Sequence, residues 1–170
     1  MAFVSHEWQT GEVIDAAKLK NINDALVRAS SGAQAQYTAG TQAIGATTEF
    51  LVYLDGLTYN QGTGFEATSN GILCKLAGIV AVSARIYCAS GFTAGDQVLL
   101  TIGKNSATVE TTSHIMRGAG AEHITARTVL VPVEAGDVLK LKCQNVTGAR
   151  GVIGSTGVAY ANRLMAHYLA

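Results

Sequence analysis

Four histidines, His6, His114, His123 and His167, are scattered along this chain, and no two share a metal-ligand spacing such as i, i+4. They read as separate surface or strand histidines. Ser5-His6-Glu7 collects the residue types of a hydrolytic triad only as sequence neighbours, with no supporting frame around them. The carboxylates Asp55, Glu66, Asp96, Glu110, Glu122, Glu134 and Asp137 fall at expected turns or strand ends. Glycoside cleavage requires two carboxylates that converge, and their order in the chain pairs none of them. Nor does any acidic cluster match a calcium loop. Gly118-Ala119-Gly120 is followed by no helix pattern, so it reads as a loop, not a phosphate cradle. The three cysteines, Cys74, Cys88 and Cys143, are odd in number and lack a metal-ligand spacing. All three fall on apolar faces of expected strands, as small buried thiols do. The expectation is no catalytic site, no metal and no cofactor.

Binding chemistry is a different matter. Saccharide recognition uses aromatic faces with amide and hydroxyl partners, set on loops that a rigid scaffold holds. Three stretches offer such groups: Tyr59-Asn60-Gln61-Gly62-Thr63, Tyr87 to Phe92, and His114 to His123. Tyr59, Asn60 and Gln61 fit the chemistry best and are taken as the candidate ligand site.

The elements that would hold such a site are strands. In Gly71 to Cys88, the even positions Ile72, Cys74, Leu76, Gly78, Val80, Val82, Ala84, Ile86 and Cys88 are all apolar or Gly. The odd positions include Lys75, Ser83, Arg85 and Tyr87. Alternation of this kind marks half-buried β structure. One strand of that length would be unusually long, so a break at Ala77-Gly78 is expected, giving strands Ile72 to Leu76 and Ile79 to Tyr87. The even face, with Cys74, Val80, Val82 and Ile86, should be core. The odd face, with Ile79, Ala81, Arg85 and Tyr87, is the expected contact with a neighbouring subunit.

From Glu49 to the end the pattern continues as about ten short strands spaced by turns, with no helices between them, which indicates a sandwich or barrel. Pro132 argues for a strand end or an edge. Ala77-Gly78, Ala94-Gly95-Asp96 and Ala135-Gly136-Asp137 read as three copies of one turn device, in which Asp bonds its own backbone. Asn145-Val146-Thr147 fits the glycosylation sequon but reads as a turn.

Asp15 to Ser31 is the one convincing helix, with Asp15 as cap and Gly32 as its expected close. Leu19, Ile22, Leu26 and Ala29 form one apolar stripe. Two heptads are too few for a stand-alone coiled coil, so the stripe packs either on the body or on other copies of itself. Residues 32–48 are small and polar, a linker composition. Residues 1–12 contain Phe3, Val4 and Trp8, which water solvates poorly, and read either as a disordered tail or as a docking segment. The expected organisation is 1–31 as attachment segment and helix, 32–48 as linker and 49–170 as β body.

Composition narrows the function classes. Twelve basic and twelve acidic residues cancel, and only 14% of residues are charged against 48% hydrophobic. A neutral chain lacks the basic footprint of a nucleic-acid binder or of a protein held on anionic membrane. Low surface charge instead suits a chain covered by copies of itself. No apolar run approaches a membrane span and no secretory signal is visible. Unpaired cysteines fit synthesis in a reducing cytoplasm.

The turns sit in a frame that resembles the C1q/TNF-like jelly roll in its bacteriophage and bacterial versions. The residues that carry the resemblance are Phe65, Ala77-Gly78-Ile79-Val80-Ala81-Val82-Ser83-Ala84, Val98-Leu99-Leu100-Thr101-Ile102-Gly103-Lys104-Asn105, and Leu130-Val131-Pro132-Val133-Glu134-Ala135-Gly136-Asp137-Val138-Leu139-Lys140-Leu141. Ile79 stands where the family often has Tyr, and Ser106 where it usually has Gly. Trp8-Gln9-Thr10-Gly11-Glu12-Val13-Ile14-Asp15-Ala16-Ala17-Lys18-Leu19-Lys20-Asn21-Ile22-Asn23 is similar to the opening of phage tail-fibre, baseplate and head-fibre proteins. The resemblance implies an all-β C1q/TNF-like sandwich after one short helix, associated as a homotrimer. It also implies a place in the virion after synthesis in the host cytoplasm, with Phe3, Trp8, Leu19, Ile22 and Leu26 attaching to other virion proteins. The implied work is non-enzymatic host-surface recognition, of saccharide, as a fibre or baseplate tip. The alternative is a head fibre or capsid decoration protein acting in assembly or stability.

Overall fold

The computed structural model describes residues 15–37, 40–44, 48–68, 70–118, 121–147, 151–154 and 161–169. Within these, one helix, α1 (Ala16–Ser30), precedes thirteen strands: β1 (Gly32–Tyr37), β2 (Gln42–Ile44), β3 (Phe50–Leu51), β4 (Gly56–Gln61), β5 (Phe65–Thr68), β6 (Gly71–Cys74), β7 (Gly78–Ser90), β8 (Gln97–Lys104), β9 (Ala107–Ile115), β10 (Glu122–Val133), β11 (Val138–Asn145), β12 (Gly151–Ile153) and β13 (Asn162–Tyr168). The expected Phe3 and Trp8 attachment residues lie outside the described residues.

All pairings are antiparallel. The larger sheet runs β2-β12-β7-β13-β1-β4, and β10 pairs with β7 along its other edge. The smaller sheet runs β5-β6-β11-β8-β9, with β3 also on β11. The inward faces are the alternating apolar positions read from the sequence. Val80, Val82, Ala84, Ile86 and Cys88 are fully buried, as are Cys74, Val98, Leu100, Ile102, Leu139, Leu141 and Cys143 from the facing sheet. Burying each larger aliphatic side chain contributes about 1.5–3 kcal/mol relative to leaving it in water.

The break in the Gly71 to Cys88 run is real, and it does more than shorten a strand. β6 belongs to the smaller sheet and β7 to the larger one, so the chain crosses the sandwich at residues 75–77. Tyr168 of β13 holds that crossover. Its hydroxyl donates to the Leu76 carbonyl at 2.6 Å and accepts the Leu76 N–H at 3.3 Å. Its ring stacks on Phe65 of β5 at 4.6 Å between centroids. One buried side chain of the larger sheet therefore grips both the edge of the smaller sheet and the link between the two.

Two of the three expected turn copies are the same device. Asp96 accepts the Thr93 N–H at 2.8 Å and Asp137 accepts the Glu134 N–H at 2.8 Å, while Gly95 and Gly136 take φ of 92° and 98°. The third differs. Gly78 is the first residue of β7 at negative φ, and a side chain there would meet Arg28 and the Tyr168 ring. Ala77-Gly78 is thus a close approach, not a copy of the Asp turn.

The linker reading also needs correction. Gly32–Tyr37 is a buried strand between β13 and β4, and Gln42–Ile44 pairs with β12. The sheet begins directly after the helix. Ala33 and Ala35 supply the inward face, and alanine gives too faint an apolar alternation for sequence to distinguish it from a flexible spacer. Gly32 accordingly does not close α1. Ser31 does so in an extended conformation, and Gly32 is flat against His167, where a Cβ would lie 2.9 Å from the ring. The expected Phe50 to Leu54 strand is β3 plus an extended stretch tied by other means, described below. Pro132 does lie on an edge strand, β10, which pairs only with β7 among the described residues.

The cysteines are buried free thiols. Burial pushes Cys74 and Cys88 from 9.0 up to about 12, and Cys143 rises for the same reason. Burial raises the Tyr168 hydroxyl as well.

Two outcomes follow from this packing. Tyr168→Phe keeps the stacked ring but strands the Leu76 N–H and carbonyl, so denaturant titration should give a loss of about 1–3 kcal/mol. Separately, a group whose folded pKa is raised keeps its proton while the unfolded chain releases it, so stability falls as pH rises. Unfolding midpoints should therefore drop between pH 9 and about 12, with each buried thiol contributing about 1.4 kcal/mol per pH unit. A flat profile across that window would contradict the burial of the thiols.

Candidate functional site

Residues 52–55 alternate although they belong to no strand. Val52 and Leu54 are buried; Tyr53 and Asp55 are exposed. Neighbouring chains pin the backbone in that pose. Val52 N–H bonds the Leu141 carbonyl at 2.9 Å and Asp55 N–H bonds the Gln36 carbonyl at 3.0 Å. Between them the Gln42 side-chain amide takes the place of a strand. It accepts the Tyr53 N–H at 2.8 Å and donates to the Tyr53 carbonyl at 3.0 Å. The Tyr53 ring also meets Phe50 edge-on at 6.0 Å.

This pinned stretch forms one wall of a cleft of about 550 Å³, lined by Tyr37, Tyr53, Leu54, Asp55, Gly56, Ala67 and Thr68. The cleft offers two tyrosines, one carboxylate and the Thr68 hydroxyl, whose buried oxygen has no hydrogen-bond partner among the described residues. Rings with fixed backbones stack on apolar sugar faces, and a carboxylate and a hydroxyl bond sugar hydroxyls. Tyr37 ends β1, the strand that begins directly after α1. Six extended residues, roughly 20 Å, therefore separate the helix end of the body from the cleft end.

The expected ligand residues Tyr59, Asn60 and Gln61 lie elsewhere, exposed on β4 at the edge of the larger sheet. The Tyr59 hydroxyl donates to the Gln61 side-chain carbonyl, so two of the three polar groups engage one another. Sequence did not single out Tyr37 or Tyr53, and it named Asp55 only as one of seven carboxylates at turns or strand ends. Tyr37 fell in the stretch read as linker, and the Gln42 clamp is a long-range contact with no local signal.

Five of the seven carboxylates considered for acid–base chemistry are engaged by separate structural partners. Asp96 and Asp137 are held in their turns by backbone N–H groups, which lower both below the usual carboxylate range. Glu110 takes Arg127 in a two-pronged pair at 2.9 and 3.1 Å, and Glu66 faces Lys75 at 3.6 Å. Glu122 bonds His114 at 2.8 Å and the Arg117 N–H at 2.8 Å, and the His114 bond leads in lowering its pKa. The His114 to His123 loop is thus clasped at its base by a structural pair. Among the described residues no group of three His, Cys, Asp or Glu is placed to hold a metal ion.

The outward face of the larger sheet carries the second candidate surface. Ile79, Ala81, Arg85 and Tyr87 share one face of β7, as the alternation requires. Pro132 lies opposite Ile79 and Leu130 opposite Ala81 on β10, while His167 flanks Ala81 on β13. Leu130 is 62% exposed and Ile79 43%. On α1, Leu19, Ile22 and Leu26 are likewise exposed at 54%, 41% and 65%, so the body does not cover the stripe. The helix instead touches the body at its end, where Arg28 donates to the Ala77 carbonyl at 3.3 Å and the Ser31 hydroxyl accepts the Gly64 N–H at 3.0 Å.

No protein-family model matches the chain, and no curated protein does so by sequence. Solved structures do match by shape. Murine APRIL superposes with a TM-score of 0.62 at 10% identity, covering 82% of this chain and 98% of that one. The PRD1 vertex protein P5 gives 0.59 at 16% identity, covering 84% and 99%. The globular domain of zebrafish complement 1qA gives 0.54 at 8% identity, covering 82% and 98%. Identities this low speak to fold alone, and the matched folds agree with the sandwich of two antiparallel sheets. The fold of this chain is the C1q/TNF-like jelly roll.

Proposed function

We propose that this chain is a non-enzymatic structural protein of a phage virion that assembles as a homotrimer and binds saccharide on the host surface. The observation that carries the reading is polarity along β1: the helix with its uncovered apolar stripe is at one end, and the tyrosine cleft is at the other. A particle-bound tip needs that arrangement. Attachment runs through residues 1–31, with Phe3, Trp8, Leu19, Ile22 and Leu26 meeting other virion proteins or sister helices. Subunits meet through Ile79, Ala81, Arg85 and Tyr87, with Leu130 beside them. The saccharide lies in the cleft of Tyr37, Tyr53 and Asp55; Tyr59, Asn60 and Gln61 pair with Gln34, Ala33 and Gly32 at the helix end of β1 and lie apart from it.

The likeness to the PRD1 vertex protein P5 supports a place on a particle, and it also favours a second reading, a head fibre or capsid decoration protein acting in assembly or stability. No described helix is long and apolar enough to cross a membrane, which suits either.

Light scattering at micromolar concentration should return three chain masses, and Ile79→Glu should return one, because it places a charge in an apolar contact. A wild-type monomer would refute the trimer. On a glycan array of host-envelope saccharides, the wild type should bind, and Tyr53→Ala should weaken binding about tenfold, equivalent to roughly 1.4 kcal/mol. No binding to any saccharide, with particle assembly lost when residues 1–31 are removed, would select the decoration reading.

A further inference from the structure

Charge is unevenly spread along this chain, and the cleft is built from the stretch that lacks cations. Between Arg28 and Lys75 the sequence contains no Lys, Arg or His, and its charged residues, Glu49, Asp55 and Glu66, are all acidic. Every described residue of the cleft wall comes from that stretch. Tyr37 ends β1, Tyr53 to Gly56 lead into β4, and Ala67 and Thr68 belong to β5. Two lysines from outside the stretch meet its acids away from the wall: Lys142 donates to Glu49 at 2.9 Å, and Lys75 faces Glu66 at 3.6 Å. Asp55 is the one charged side chain among the described residues of the wall.

The wall therefore offers rings, apolar carbon, hydroxyls and a carboxylate, but no group that would accompany an anion out of water. A ligand carboxylate or phosphate entering the cleft gives up hydration without gaining a cationic partner, and it does so on the wall that carries Asp55. Like charges brought together across an interface oppose binding. A neutral sugar meets neither cost. Its C–H face can lie on the rings of Tyr37 and Tyr53, and its hydroxyls can donate to the Asp55 carboxylate. Thr68 adds a demand of its own. Its hydroxyl oxygen is buried without a hydrogen-bond partner among the described residues, so a ligand O–H or amide N–H there would complete an unmade bond. The volume, about 550 Å³, lies within the range of small-molecule sites.

We propose that the cleft selects uncharged saccharide, neutral hexoses and their N-acetylated forms, and rejects sugars that carry carboxylate or phosphate. The inference rests on the saccharide reading above and narrows it: the host polysaccharide it requires is uncharged where it is gripped, not a uronate or phosphodiester polymer.

The test uses the full chain and matched probes at constant ionic strength, with binding followed by ligand-observed NMR. The probes are the methyl glycosides of glucose, galactose and mannose, each beside the glycoside of its own uronic acid, in which a carboxylate replaces the C6 hydroxymethyl group. Methyl N-acetylglucosaminide joins the neutral set. At least one neutral hexoside should bind saturably, and its uronate should bind about tenfold more weakly or worse. Ala67→Lys sets an ammonium in the wall at an exposed position of β5, where substitution is well tolerated, and should narrow that ratio to about threefold or less. A uronate that binds as well as its neutral partner, or a ratio that Ala67→Lys leaves unchanged, overturns the selectivity and leaves the saccharide reading standing. Neutral binding that Tyr53→Ala does not weaken places the sugar outside the cleft and overturns the inference as well. No binding by any glycoside removes the saccharide reading and this inference with it.

Discussion

The contact on which the rest depends is the Tyr168 hydroxyl on Leu76. A sandwich of two sheets is held mainly by non-directional burial, which says that the inner faces must meet but not how the chain passes between them. The crossover at residues 75–77 is where that choice is made, and without Tyr168 the half-buried Leu76 would lose the partner of both its backbone groups. Tyr168 satisfies both polar groups of Leu76 with one oxygen and anchors its ring on Phe65. Because Tyr168 belongs to β13, the last strand, the link is made by residues 92 positions apart. Arg28 bonds Ala77 at the same crossover, so the helix is fastened where the two sheets are. The helix end of the molecule is therefore tied directly to the sheet crossover.

At the other end the constraint is of a different kind. The residues before β4 have no strand partner along their whole length, and single side chains stand in for one. Gln42 closes both hydrogen bonds of Tyr53, and the Gln36 carbonyl takes Asp55. Such a segment keeps its side chains fixed while leaving an edge open, which is how a rigid scaffold presents a ligand surface without extending its sheet. The two Ala-Gly-Asp turns act similarly, trading a carboxylate for stability of the loop. This explains why so many acids in the chain are structural: their negative charge is already committed to backbone N–H groups or to a nearby cation.

Low charge gains a clearer meaning in three dimensions. The carboxylates gather in turns and in separate ion pairs, while the outward face of the larger sheet keeps Ile79, Leu130 and Pro132 at one end and Arg85 and Arg163 at the other. The neutral sum of the composition conceals an uneven distribution. A patch with Ile79 and Leu130 exposed suits burial against something else better than permanent exposure to water.

Sequence alone determined the all-β class, the core face of Gly71 to Cys88, the helix with its Asp15 cap, the buried thiols and the placing of Pro132 at a strand end or an edge. These are local or periodic properties: alternation, capping and backbone chemistry act within a few residues. Only the tertiary structure decided that Gly71 to Cys88 is shared between two sheets, because both sheets bury the same parity and the pattern runs through the crossover unbroken. It alone made strands of Gly32–Tyr37 and Gln42–Ile44, where alanine and glutamine give little apolar contrast and the pairing partners come from the far end of the chain. The cleft of Tyr37, Tyr53 and Asp55 belongs to the same class. It is assembled by register between strands distant in sequence, and register is fixed by packing of the whole sandwich, not by any segment within it.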